Sequence, residues 1–193
     1  RLSRGLGDVY KRQLFNLPPP TQGLASILIL GLLDELSITC KNDVELIHNI
    51  VEITKAVFKI RDKYISDPRY MSFHVSEFLT KDFIKKLAKE INFEKATPWP
   101  SSSPGGDTVW LGATDAYGNT VSFIQSIYWE FGSGLVLPNT GITMQNRGVS
   151  FSLDLKNHNH LLPGRKPFHT IQPALAHFDD CLLYTSDAAD EWI

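Results

Sequence analysis

The chain has 193 residues, 42% of them hydrophobic and 21% charged, with a formal net charge of -2. That is the composition of a globular protein with one core or one and a half, and it gives no electrostatic footprint for nucleic acid or a charged membrane surface. The longest apolar run, Leu24 to Leu33, falls far short of the roughly 20 residues that a bilayer-spanning helix needs.

The two ends read differently from the rest. Asp8–Gln13 in "SRGLGDVYKRQ" and Cys181–Ser186 in "CLLYTSDAADE" back-translate onto the two complementary strands of one transposon mosaic-end oligonucleotide, a library adapter. Residues 1–13 and 181–193 are therefore expected to be adapter-derived and to pack against nothing; the other reading is a native basic start and acidic end. The part between them is expected to be a piece of a longer protein. Outside the ends Cys40 is the one cysteine, which offers no intrachain disulfide and no zinc set.

"LFNLPPPTQG" opens the native part as an extended segment, because its prolines cannot donate ladder hydrogen bonds. Gln22 to Leu36 reads as a helix that is apolar on most sides and hence buried. Asn42 or Asp43 caps a second helix, Val44 to Ile65. Its residues Leu46, Ile47, Ile50, Ile53, Val57, Ile60 and Tyr64 fall on one face. Pro68 ends it by disfavouring helix at Asp67. "SEFLTKDFIKKLAKEI" predicts a third, amphipathic helix with Ser76 or Thr80 as cap and Lys85, Lys86 and Lys89 on a solvated face.

"NFEKATPWPSSSPGG" is a linker by composition. After it the period changes from 3.6 to 2. "TVWLGATD", a turn at "AYGN" and "TVSFIQSIYW" predict a hairpin, "GSGLVLPNTGITMQNRG" predicts short strands with glycine turns, and "HTIQPALAHF" predicts a strand broken by Pro173. Thr108 stands where the linker meets the first strand. A threonine hydroxyl is a poor nucleophile until a base takes its proton. If the chain cuts itself before Thr108, the freed α-amine, with a reference pKa of ~7.7–8.0, is that base on the same residue. The Thr108 hydroxyl would attack the Asp107 carbonyl, and water would hydrolyse the resulting ester. Taken locally the signal is weak, because most threonines after a glycine-rich loop merely start a strand.

The order of motifs adds to that reading. "LPPPTQGLASILILGLLDEL", "KIRDKYISDP", "GDTVWLGATDAYGNTVSFIQSIYWEFGSGLVLPNTGITMQNRGVSFS" and "PGRKPFHTIQPAL" together resemble the γ-glutamyltranspeptidase (glutathione hydrolase) family over nearly the whole native part. The resemblance implies an α+β, αββα four-layer N-terminal-nucleophile sandwich, present here only as a fragment. Residues 14–107 would be the C-terminal part of the large subunit, helical and ending in a flexible tether. Residues 108–180 would be the β-rich N-terminal part of the small subunit. It also implies autocleavage between Asp107 and Thr108, Thr108 as the catalytic nucleophile, and Ser126 in the place of a second hydroxyl that hydrogen-bonds it.

Departures from the family pattern bear on substrate. Tyr128 fills the place of an asparagine that binds the substrate's amino-acid end. In "QNRGVSF", Arg147 stands at a glutamine and Ser150 at an aspartate that binds the α-ammonium. His169 and Thr170 match paired hydroxyls that hold the substrate carboxylate. A site that loses an ammonium-binding carboxylate and gains an arginine favours an acyl group without the amine, as in the family's glutaryl and cephalosporin acylases; Arg147 is alternatively solvated or structurally paired. The implied activity is cleavage of γ-glutamyl-type amides through an acyl-enzyme on Thr108, with a glutaryl- or cephalosporin-acylase-like activity, or a non-catalytic fragment or pseudoenzyme, as alternatives. The expected partners are a small-molecule amide, γ-glutamyl or dicarboxyl-monoamide, and the two subunits of one precursor. Neither nucleic acid nor a membrane is expected to bind this stretch, and no cofactor. "HNHL" at His158–Leu161 reads as polar loop rather than a metal site, so no metal is expected.

Overall fold

The computed structural model describes residues 3–4, 12–99, 108–178 and 181–183. Helix α1 (Gly23–Leu36) follows the apolar run, and its Leu24, Ala25, Leu28 and Leu32 are buried. Gly23 is required at its start, because a Cβ there would strike the Leu17 carbonyl oxygen. Helix α2 (Asp43–Tyr64) begins at Asn42, whose side chain accepts from the Glu45 N–H at 3.0 Å; of the two candidate caps, Asn42 serves. Helix α3 (Lys81–Ala88) begins at Thr80, which accepts from the Phe83 N–H at 3.3 Å.

Two helical expectations change in detail. The apolar stripe of α2 is buried only in part: Ile53 and Val57 are fully buried, but Leu46, Ile47 and Ile50 are exposed. A 14-residue α1 is shorter than the 22-residue α2 at equal rise, so it cannot cover the whole face. The third helix is split. Val75–Glu77 form a separate 3-10 turn, in which the His74 ring accepts from Ser76 N–H and Glu77 reaches back to His74 N–H at 2.7 Å. Those local side-chain bonds compete with a continuous helix. Phe78, Ile84 and Leu87 then join Leu24, Leu28, Leu32, Ile53, Val57 and Ile65 in one core cluster.

Strands β1 (Ser3–Arg4), β2 (Arg12–Asn16), β5 (Leu175–Phe178) and β6 (Cys181–Leu183) form one antiparallel sheet in the order β1-β2-β5-β6. The ends were expected to pair with nothing, yet Arg12 and Gln13 pair with Phe178 and His177, and Cys181–Leu183 pair with β5. Ladder bonds use backbone groups that every non-proline residue carries, so strand pairing does not depend on where a sequence came from. Strands β3 (Val109–Thr114) and β4 (Thr120–Gln125) form a separate hairpin, in register from Val109↔Gln125 to Thr114↔Thr120. Asp115 builds its turn by accepting from the N–H groups of Tyr117 and Asn119, each at 2.9 Å.

The hairpin is shorter than predicted. Strand β4 stops at Gln125 because Ser126 Oγ accepts from the Tyr128 N–H at 3.0 Å and Tyr128 adopts a left-handed φ of 82°. Beyond it, the predicted short strands reduce to the single bridge Val136↔Thr143. Gly132 turns this segment with φ 54°, and a Cβ there would strike the Met144 carbonyl. The described residues thus supply one helical layer and strands of two separate sheets. Among them no helix is long and apolar enough to cross a membrane.

Candidate active site

Three stretches far apart in sequence converge. The first is the proline-rich segment before α1, which runs parallel to the segment at 168–172. Thr21 bridges His169, the His169 N–H donates to the Pro20 carbonyl at 2.8 Å, and the Gln22 N–H donates to the His169 carbonyl at 3.0 Å. The Gln22 side chain is buried and completes the join: its Nε2 donates to the Thr170 carbonyl at 2.6 Å, and its Oε1 accepts from Arg61 Nη1 at 2.9 Å. Arg61 is steadied by the Phe58 ring, 3.6 Å from its guanidinium carbon. Helix α2 therefore holds the backbone of His169 and Thr170 through Gln22. Gln22 is absent from the sequence-derived site; its one local signal is a polar residue at the head of an otherwise apolar helix.

The second stretch is the 3-10 turn at Arg147–Ser150. Arg147 is 2% exposed, so it is a buried guanidinium and not a solvated one. Its Nη1 donates to Thr170 Oγ1 at 2.6 Å, and its guanidinium carbon lies 4.7 Å from the centroid of the Tyr128 ring. Its backbone N–H donates to Gln145 Oε1. Ser150 Oγ lies 2.9 Å from the Arg147 carbonyl oxygen and 3.2 Å from that of Phe168, so its hydroxyl is turned to the backbone. His169 is partly buried. Burial first, and then the positive charge of Arg147, lower its pKa to about 4. Its Nδ1 accepts from the Ile171 N–H at 3.3 Å, which places the proton of the neutral ring on Nε2.

The third stretch is the hairpin. Thr108 immediately precedes β3 and Ser126 immediately follows β4, each one residue beyond the last paired positions, Val109 and Gln125. Ser126 is tied to Tyr128 through the bond that ends β4. So the structure gathers Tyr128, Arg147, Ser150, His169 and Thr170 into one group and joins Ser126 to it through Tyr128. Asp107 lies outside the described residues. A cleft of about 300 Å³ opens beside this group, where Ser150 and Phe168 meet Arg61, Asp62 and His158.

A second clamp supports the 168–172 segment. Buried Asp67 accepts from Arg69 Nη2 at 2.6 Å and from the Lys166 N–H at 2.8 Å. The Arg69 guanidinium above all holds its carboxyl well below the ordinary range, against the effect of burial. The "SDP" end of α2 thus fixes the "GRKP" loop that leads to His169.

The helical layer and the strands of two separate sheets are a fragment of the α+β N-terminal-nucleophile hydrolase fold, as the family and structural matches show. The family model for gamma-glutamyltranspeptidase matches residues 6–183, and the chain belongs to that family. The oxamate amidohydrolase proenzyme of Klebsiella pneumoniae is 49% identical over 179 residues, 92% of this chain and 34% of the relative. The glutathione hydrolase-like YwrD proenzyme of Bacillus subtilis is 40% identical over 164 residues, 84% of this chain and 31% of the relative. The solved structure of a cephalosporin acylase from Bacillus halodurans superposes with a TM-score of 0.81 at 35% identity, over 95% of this chain and 33% of that one. The chain spans about a third of the length of the relatives it matches.

Proposed function

We propose that this chain is part of a self-cleaving amidohydrolase whose nucleophile is Thr108 and whose substrate is a short dicarboxylate monoamide such as oxamate, not a γ-glutamyl amide. The observation that carries the reading is the buried Arg147 guanidinium, held by Thr170 and lying over Tyr128. A fixed, desolvated cation prefers a substrate carboxylate and repels an α-ammonium. Ser150 stands where the family pattern has an ammonium-binding aspartate, and its hydroxyl is spent on backbone carbonyls. The Tyr128 ring fills space beside Arg147 and favours a short acyl group.

In oxamate the carboxylate is bonded directly to the amide carbonyl and there is no ammonium. The similarity to a protein named for oxamate supports the same choice. In the proposed reaction the Thr108 α-amine takes the hydroxyl proton as Thr108 Oγ attacks the amide carbonyl. The α-ammonium passes that proton to the amide nitrogen, which leaves as ammonia; an oxalyl ester remains on Thr108, and water hydrolyses it to oxalate. Arg147, Thr170 and the Nε2–H of His169 supply donors for the carboxylate. The test is kcat/KM of the full-length enzyme for oxamate and for a γ-glutamyl anilide. Oxamate is expected to be the better substrate, and a strong preference for the γ-glutamyl compound would refute the assignment.

A further inference from the structure

One side of α2 carries a second set of contacts, of which only Phe58, under Arg61, bears on the site just described. His48, Glu52, Lys55 and Phe58 are spaced four, three and three residues apart, along one side of the helix. All four hold the same passing segment, Phe93 to Trp99. His48 Nε2 lies 2.8 Å from the Phe93 carbonyl oxygen, and the rings of Phe58 and Trp99 pack with centroids 6.4 Å apart. Between them Thr97 is held by both of its backbone groups. Its N–H donates to Glu52 Oε2 at 3.1 Å, and its carbonyl accepts from Lys55 Nζ at 2.8 Å.

Glu52 is 3% exposed and ion-paired with Lys55 at 2.7 Å. Burial opposes its ionisation, but the hydrogen bonds from Lys55 and Thr97 outweigh that and bring the carboxyl down to about 2. A buried ion pair is weak evidence for stability, since packed apolar residues serve as well. This pair has a second outcome: it fixes one point of the chain between α3 and Thr108. The eleven steps from Thr97 to Thr108 span at most roughly 36–40 Å at the extended rise per residue. Where that span begins is set on α2.

We propose that Glu52 and Lys55 are positioning residues for self-cleavage, anchoring the chain at Thr97 so that the span bearing the Asp107 carbonyl starts from a fixed point. The inference rests on the self-cleavage reading above. In that step Thr108 Oγ attacks the Asp107 carbonyl carbon. The peptide C–N bond breaks as the ester forms, and the new amine takes the hydroxyl proton. Water then cleaves the ester, restoring the Thr108 hydroxyl and leaving a carboxyl on Asp107. After the cut, the anchor still holds the large chain at Thr97.

The test uses the full-length precursor and two readouts: the first-order rate of self-cleavage on gels, and kcat/KM for oxamate once cleavage is complete. Glu52→Met with Lys55→Met removes both the acceptor for the Thr97 N–H and the donor to its carbonyl without leaving a lone buried charge. Thr97→Pro deletes the donated N–H without touching α2. Both are expected to slow cleavage roughly ten-fold, the scale of penalty for misplaced reacting groups, while kcat/KM of the cleaved enzyme stays within about two-fold. Lys55→Arg, which keeps charge and donors, is expected to restore most of the rate. Unchanged cleavage in both variants, or a parallel fall of cleavage and kcat/KM, overturns the proposal. A wild-type precursor that never splits before Thr108 removes the reading beneath it as well, so the two failures are told apart.

Discussion

Replacing Arg147 by methionine separates recognition from packing. Arg147 is 2% exposed, bonded to Thr170 at 2.6 Å and set over the Tyr128 ring, so its removal costs stability whatever the substrate. A substrate without charge isolates the other contribution. Oxamide matches oxamate in size, but an amide replaces the carboxylate. A charge-assisted hydrogen bond in a desolvated site contributes about 1.5–3 kcal/mol. At about 1.4 kcal/mol per decade, its loss lowers kcat/KM for oxamate by roughly 10- to 150-fold. Oxamide forgoes that interaction in the wild type too, so its kcat/KM falls only by what the loosened packing costs. The assay is ammonia release from each substrate by wild-type and Arg147→Met full-length enzyme. The expected result is a fall in the oxamate-to-oxamide ratio of at least about ten-fold. Equal falls for both substrates would mean that Arg147 only holds the fold together.

Three further outcomes concern stability. Asp67→Asn weakens the hold on Arg69 and Lys166 and is expected to cost about 1–2 kcal/mol in urea unfolding, the low end for charged hydrogen bonds because Arg69 is exposed. Because the folded Asp67 carboxyl titrates below its unfolded value of about 3.9, its contribution is present above that pH and lost as pH falls further; the variant should show a shallower acid limb. His169 has a folded pKa of about 4 against an unfolded value of ~6.5, so the folded state binds fewer protons and stability rises with pH across that window. His169→Gln is expected to flatten the urea midpoint over the same range, and an unchanged slope would contradict the burial of the ring beside Arg147. Asn42→Ala removes the cap of α2 and is expected to cost about 1 kcal/mol, read as a lower urea midpoint.

What the sequence showed was mostly local. The 3.6-residue period, a cap at Asn42 or Asp43 and the Pro68 stop placed α2 within a residue or two, since each acts through neighbours in the chain. The change of period at Thr108 placed the start of β3 in the same way. Arg147 was singled out by the family pattern, but its burial against Thr170 was not legible, because that contact joins residues 23 positions apart across a turn. Gln22 reaches Thr170 over 148 positions, and nothing near Gln22 announces it. The exposed half of α2 was misread because periodicity reports an apolar face and not how much of it a neighbour covers. Likewise, Glu52 and Lys55 look like an ordinary helix-surface pair until Thr97 is seen between them.

The most direct test of the account is the N-terminal sequence of the small chain formed when the purified full-length precursor stands without protease. The account predicts Thr-Val-Trp-Leu, the residues from Thr108 to Leu111, with Thr108→Ala remaining one uncut chain and Thr108→Ser cleaving slowly, since serine keeps a hydroxyl and frees the same amine. A small chain that begins at any other residue, or normal cleavage of Thr108→Ala, would contradict it.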